Sequence, residues 1–538
     1  MTAVDSTLRR AGTVLAVVAL AFAGPARGQD TPPANPFLSA PLYGMTHFNP
    51  AQTDTLPYAV ARGEFRVDLA RAPRIPGGPV NIMNLASTRK GHMWAISTDR
   101  VAYVDAANGN WRSLAEIGLP GVPRVSDANL NKLIGPNHAN LAEIEGVAKQ
   151  ILGPAPQSVT ANGLYTVADR DDTIYVNAGT LICAIGLKDA TRPEAGLEIR
   201  RTLDAKTDFP PFDMPGYGSS VRLIGMSMTY DGHLVVGGYN GVAVVDRMFA
   251  KPAALHLIEP GQLISNSFSV DEKNGIYVAS GSLTPRDDGV LRKVMWTGGR
   301  LSVDEADGGW SAPYDGGDWP PAVKGGTGTG STPTLMGFGD KNDERLVVIT
   351  DGVNRMKIVA FWRDAIPADF RQKPGTKSRR IADQMQIAGG LPETTPWVQS
   401  EQSVVVNGWG AFVVNNVVQG HPDKIIDVLA IGPVINPPRG MERVEWDRAQ
   451  RKWLPVWTRR DVASTSMAPV ASAPSGLVFV NGYSRQDGWE VTGLDGRPAR
   501  PRIAPSLATT ISAMAPTPSF SIWRTAISCS IRSAVRSV

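Results

Sequence analysis

The feature that most constrains this chain is a unit that recurs along it: a short strand of small polar residues, a turn rich in Asp and Gly, then one or two aliphatic strands. One copy runs from Arg222 to Asp246, as Ile224-Gly225-Met226-Ser227-Met228, the turn Tyr230-Asp231-Gly232, His233-Leu234-Val235-Val236 and Val242-Ala243-Val244-Val245. Other copies begin near Val80, Gly163, Leu263, Lys324, Glu401 and Ser464, and Ala508 to Met514 reads as the first strand of an eighth. Short strands joined by tight polar turns make antiparallel meanders. A single meander cannot bury both of its faces, so the units must stack around an axis. The expected fold is all-β: a β-propeller of seven or eight blades, with eight preferred.

The rest of the chain divides around that block. Residues 1–28 read as an export signal, because Arg9 and Arg10 precede an apolar run from Ala11 to Ala23 and small residues follow at Ala26 and Gly28. They predict a periplasmic or secreted protein with no integral membrane span once they are removed, since no later stretch approaches spanning length. Residues 29–78 form an extended lead-in whose one strand-like stretch, Glu64 to Leu69, is free to pair elsewhere, and 79–514 form the propeller. The tail 515–538 breaks the pattern: no Gly follows Gly496 and no acidic residue follows Asp495. A frameshift after about Met514 would produce such a tail.

Charge and cysteine usage exclude some partners. The formal charge is +4, and removing residues 1–28 takes away Arg9, Arg10, Arg27 and Asp5, which leaves +2. With no basic stripe, nucleic acid is not an expected partner. The only cysteines, Cys183 and Cys529, form neither a metal nor a redox motif. The expected partner is a small-molecule ligand, with a protein partner as the alternative for a noncatalytic scaffold.

In a propeller the first strand of each blade lines the axial channel, and the loops leading into those strands converge at one mouth. The polar residues there are Asn81, Asn84, Ser227, Asn266, Thr332, Thr334, Gln399, Glu401, Gln402, Ser464, Thr465 and Thr509. Glu401, Asn266 and Asp351 offer oxygen donors of the kind calcium takes. The same side chains would equally serve to satisfy backbone groups or channel water. One approach loop stands apart: Gly325 to Ser331, where Gly326, Gly328 and Gly330 would let backbone amides close on an oxygen while Thr329 and Ser331 add hydroxyls. The alternative is a plain blade connection, since glycine marks both. Of the six histidines, none forms a zinc motif; His138 and His233 are the candidates for a general base.

A second signal lies in the outer turns. Val104-Asp105-Ala106-Ala107-Asn108-Gly109-Asn110-Trp111 resembles the strand ending of quinoprotein-type (pyrroloquinoline quinone-repeat-like) propellers, and Val444 to Trp453 and Gly493 to Arg497 are weaker versions. The resemblance implies a structural role for the tryptophan, docking one blade on the next. It also brings in pyrroloquinoline quinone and calcium as cofactors of the dehydrogenases in that superfamily, which contains noncatalytic scaffolds as well. The vicinal cysteine pair of those dehydrogenases has no counterpart here. Gluconolactonase-type propellers resemble the chain in general layout and hold calcium with Glu, Asn and Asp. Three functions follow as expectations: a quinoprotein-like oxidoreductase binding a small molecule at the mouth, a calcium-dependent lactone or ester hydrolase, and a protein-binding scaffold.

Overall fold

The computed structural model describes residues 31–513 apart from 41–46, 68–74, 76–82, 110, 135–137, 155–161, 164, 213–220, 340–343, 421–427, 429, 433, 466–467, 485–487 and 497–506. Among these the chain forms seven sheets, and each is built around an antiparallel meander. The first holds Met83–Ala86, His92–Ile96, Arg100–Asp105 and Arg112–Gly118; the second Val167–Ala168, Ile174–Ala178, Leu181–Leu187 and Leu197–Asp204. The third holds Leu223–Met228, His233–Gly238, Gly241–Asp246 and Ala253–His256. The fourth is enlarged to six strands around Gly275–Ser282 and Gly289–Trp296. Thr334–Met336, Leu346–Thr350, Lys357–Trp362 and Ile381–Gln386 make the fifth, and Val405–Asn407, Gly410–Val414, Arg439–Asp447 and Lys452–Ala463 the sixth. This is a β-propeller.

Its strands read as aliphatic runs rather than alternating ones because both faces of each sheet are covered. Ile174–Ala178, Leu223–Met228 and Leu346–Thr350 are buried along their whole length. Apolar clusters join consecutive sheets: Trp94, Val176 and Met226 share one that spans the first three, and Val235, Phe268 and Val294 join the third to the fourth. Leu291 and Val347 join the fourth to the fifth, Trp362 and Trp446 the fifth to the sixth, and Phe412 and Val478 the sixth to the seventh.

The recurring turn acids have a second use. Asp169 and Asp271 each accept backbone amides two and four residues on, which shapes the turn. Other acids in these turns dock a neighbouring sheet: Asp172 accepts the Trp94 indole N–H at 3.0 Å, Asp231 that of Trp296 at 3.0 Å, and Glu344 that of Trp446 at 2.9 Å.

The seventh sheet joins the two ends of the chain. Its spatial order is Thr55–Leu56, Val470–Ser472, Leu477–Ser484, Gly488–Asp495, Leu507–Ala513 and Gly63–Val67, with both lead-in strands added in parallel at its edges. Two expectations change here. The stretch from Ala508 does not open an eighth meander; Leu507–Ala513 pairs with Gly488–Asp495 as a late strand of the seventh, so Thr509 is not on a first strand. The first strand of that sheet is Val470–Ser472, not Ser464 to Met467. The tail 515–538 and residues 1–28, expected to be an export signal, lie outside the described residues.

The lead-in is not a loose extension. Asn35 donates to the Met228 carbonyl, the Ser39 amide to Ala168 and the Ser39 hydroxyl to Ala86, which ties it to the third, second and first sheets. The carbonyls of Pro50, Ala51, Thr53 and Asp54 then accept the amides of Val270, Leu335, Val406 and Ala471 at 2.7 to 3.0 Å, one from each of the fourth to seventh sheets. The described residues of this segment thus touch the inner strand of all seven sheets. Four of these contacts, at Ala86, Ala168, Met228 and Val270, fall at the C-terminal ends of the first strands, on the rim opposite the loops that lead into those strands. His47, Phe48, Gln52 and Asp54 take positive φ values of 54 to 68° in this segment, a conformation that only its surrounding hydrogen bonds would hold.

Candidate functional site

In a meander the start of the first strand and the turn from second to third strand share one rim. That rule brings together the Gly325–Ser331 loop and Asp351 of the fifth sheet, and Gln399–Gln402 and Asn416 of the sixth. Asn266 joins them from the loop leading into Ser269–Val270.

At the centre are two buried ionisable groups. Lys324 ends a short 3-10 helix, Ala322–Lys324, which Gly325 terminates at φ 61°. Its side chain is 2% exposed overall and donates to Gln399 Oε1 and to the Asp351 carbonyl at 3.4 Å. Asp351 is 0% exposed; its Oδ1 accepts the Lys357 amide at 2.8 Å, and Lys357 Nζ stands 3.3 Å from Oδ2 as an ion pair without a well-directed hydrogen bond. Burial moves both groups toward neutrality. It raises the Asp351 carboxyl from 3.8 to about 7, against the opposing field of Lys357, and lowers the Lys324 ammonium from 10.5 to about 7, against the fields of Asp351 and Glu401. Glu401 Oε1 accepts Gln402 Nε2 and Asn416 Nδ2, and the Gln399 side-chain amide also donates to the Val353 carbonyl.

The Gly325–Ser331 loop lies against this cluster and is itself buried. A Cβ on Gly328 would come within 2.8 Å of the Gly281 Cα, and one on Gly326 within 2.9 Å of the Ser282 carbonyl oxygen. Gly330, at φ 62°, is pressed onto Lys324. The Thr327 amide donates to Ser282 O, the Thr329 amide to the Tyr314 hydroxyl, and the Thr329 and Ser331 hydroxyls bond each other at 2.7 Å. Close packing on the fourth sheet thus accounts for glycine at these positions. The loop's contribution to the mouth is to seat Lys324.

Asn266 is similarly committed: its Oδ1 accepts the Tyr165 hydroxyl, the Thr332 hydroxyl and the Ser267 amide, and its Nδ2 donates to the Gly330 carbonyl. Behind Tyr165 lies a pair that sequence reading passed over. His47 stacks on the Tyr165 ring, with centroids 5.7 Å apart and planes 7° apart, and its Nδ1 lies 3.0 Å from Asp54 Oδ2. Its Nε2 is buried without a partner among the described residues. The signal in the sequence was weak, because two residues of an apparently unstructured lead-in gave no reason to be placed on the axis. Side-chain oxygens of Thr166, Ser227, Ser267, Ser269 and Thr465, on or beside the inner strands, also lack protein partners among the described residues.

The two candidate bases are elsewhere. His138 bridges the helices Asp127–Ile134 and Leu141–Leu152 through Leu133 O and Glu143 Oε1, which explains it as a cap. His233 opens the second strand of the third sheet on the opposite rim, 3.1 Å from Asp231 and tilted at 55° against the Trp296 ring. Asn81 lies outside the described residues, and so does the side chain of Asn84.

A calcium ion does not fit Asp351, Glu401 and Asn266. Asp351 faces two lysines, the Asn266 carbonyl oxygen already takes three donors, and no group of three His, Cys, Asp or Glu suited to a metal occurs among the described residues. Pyrroloquinoline quinone fits no better, since Cys183 is buried in the second sheet with no neighbouring cysteine and the calcium donors are committed.

No family model matches the chain. An uncharacterized protein of Archaeoglobus fulgidus is 32% identical over 283 residues, 50% of this chain and 52% of that protein, so the chain matches about half the length of its relative. Among solved structures, a europium-containing methanol dehydrogenase is similar at a TM-score of 0.42 and 11% identity, covering 85% of this chain and 84% of the other. Dihydro-heme d1 dehydrogenase NirN, in complex with DHE, is similar at 0.34 and 10%, covering 82% and 76%. Likenesses this distant say nothing of activity. No helix among the described residues is long and apolar enough to cross a membrane.

Proposed function

We propose that this β-propeller binds a small polar molecule at its axial mouth, over a floor made by Lys324, Asp351, Gln399 and Glu401. One observation carries the reading: Lys324 and Asp351 are both fully buried, and Lys324 Nζ reaches the Asp351 backbone carbonyl at 3.4 Å where loops of the fifth and sixth sheets converge. Burying two ionisable groups costs several kcal/mol, on the order of what apolar residues at the same place would avoid. Such a pair is suited to proton exchange near neutral pH: Lys324 Nζ can donate to a carbonyl or hydroxyl oxygen, and the Asp351 carboxyl can give or take a proton. His47, held by Asp54 and stacked on Tyr165, has a buried ring nitrogen, Nε2, without a partner among the described residues.

Oxidation of a bound alcohol is the finer reading, and it rests on the quinoprotein-like outer turns alone. Because the calcium and quinone set does not fit the residues present, no step is assigned to that cofactor, and the calcium-dependent hydrolase fails on the same donors. Export to the periplasm or beyond is part of the proposal and rests on residues 1–28.

The test is a thermal-shift panel of polyols, hydroxy acids and lactones on the purified protein, with hits repeated on Lys324→Met and Asp351→Asn. Hits that stabilise the wild type and are lost in both variants support the site. Hits indifferent to both substitutions would sink it.

A further inference from the structure

A cavity of about 270 Å³ opens between the sixth and seventh sheets on the rim opposite the mouth. Asn407 and the Pro474–Gly476 turn form its lip, Phe412 and Val478 its apolar wall, and Arg443 and Glu445, from the strand Arg439–Asp447, its charged side. Arg443 is only 9% exposed. The other two arginines buried to this degree have carboxylate partners: Arg100 lies 2.9 Å from Asp99, and Arg363 lies 3.6 Å from Glu272. Arg443 has none within ion-pair distance among the described residues. It donates Nε–H to the Gly496 carbonyl at 3.1 Å and Nη1–H to the Val444 carbonyl, which leaves Nη2 without a partner there. Gly410 makes the arrangement feasible, since any side chain at that position would collide with the guanidinium.

A buried guanidinium without a carboxylate is costly, and its planar fork of donors matches a carboxylate. We propose that this cavity binds a small monocarboxylate with a short apolar body, its carboxylate on Arg443 and its chain against Phe412 and Val478. Glu445 sets the charge of the ligand: one cation beside one carboxylate tolerates a monoanion and disfavours a dianion such as phosphate. Burial lowers the basicity of the guanidinium while the field of Glu445 raises it, so Arg443 stays charged and available. The site lies on the far rim from Lys324 and stands or falls separately from the mouth.

Calorimetric titration of the full chain with valerate tests it, with pentanol and inorganic phosphate as comparisons. Valerate should bind, pentanol and phosphate at least tenfold more weakly. Arg443→Gln should weaken valerate at least tenfold, and Glu445→Gln should tighten it severalfold by removing the competing charge. Lys324→Met should leave valerate affinity unchanged. If Arg443→Gln does not fold, the Glu445→Gln result decides alone. Unchanged affinity in Glu445→Gln, equal binding of pentanol, tighter binding of phosphate, or loss of valerate in Lys324→Met would each overturn the assignment.

Discussion

Asp351 and Lys324 make the stability of the protein respond to pH in opposite senses. The Asp351 carboxyl, raised from 3.8 to about 7, holds its proton in the fold at pH values where the unfolded chain has lost it. Its penalty therefore grows as pH rises from about 4 to 7 and is complete above that. The Lys324 ammonium, lowered to about 7, carries its penalty fully below pH 7 and sheds it as pH rises toward 10.5. Asp351→Asn should thus gain on the wild type by more than about 1 kcal/mol between pH 4.5 and 7.5 in urea unfolding, with Lys357 still held by Asp315. A gap that shrinks over that range would contradict the burial account. Both residues could be placed at the mouth from sequence, as a strand end and a loop start, but their pairing could not. The glycines of 325–331 illustrate the same limit: ligand approach and backbone packing both demand a missing Cβ, and only the nearness of Gly281 and Ser282 separates them.

At the level of elements, the aliphatic second and third strands were legible almost to the residue. His92–Ile96, His233–Gly238 and Leu346–Thr350 fall where β-branched runs and turn acids put them. First strands were not, because they are short and polar and are held by partners distant in sequence. In the copy that begins near Gly163, Tyr165 takes φ 54° and the first strand is only Val167–Ala168. The helix pair Asp127–Ile134 and Leu141–Leu152, which packs Leu133, Ile144 and Ala148 on Ala430, was missed as an insertion between blades. The turn acids were recognised as turn formers, while their role toward the adjacent sheet emerges only in three dimensions. Asp172 takes the Trp94 indole, the Ser87 hydroxyl and the Thr88 amide, so Asp172→Ala should cost about 2–3 kcal/mol through stranded donors, measurable by chemical unfolding. A loss below about 0.5 kcal/mol would show that sheet docking rests on apolar contact alone.

For the molecule as a whole, two lead-in strands flank the last strands in the seventh sheet, and the described lead-in residues hydrogen-bond the inner strands of all seven sheets. Sequence reading anticipated a strand near Glu64 able to pair elsewhere, and Gly63–Val67 does pair with Leu507–Ala513. It did not anticipate the lead-in's bonds to the inner strands, because residues 47–56 have no strand period; their order comes from hydrogen bonds to four separate sheets. The floor of the mouth exists only when the ring brings Lys324, Asp351 and Gln399 together from three loops. The most direct measurement of that floor is a pH titration of the lysine side chains by 15N-detected NMR, on the wild type and on Lys324→Met. One ammonium should titrate near pH 7, as burial lowers Lys324 to about 7, and its signal should be absent from the variant. Lysines that all titrate above pH 10, or a low-pH transition that survives Lys324→Met, would contradict a buried, proton-exchanging pair at the mouth.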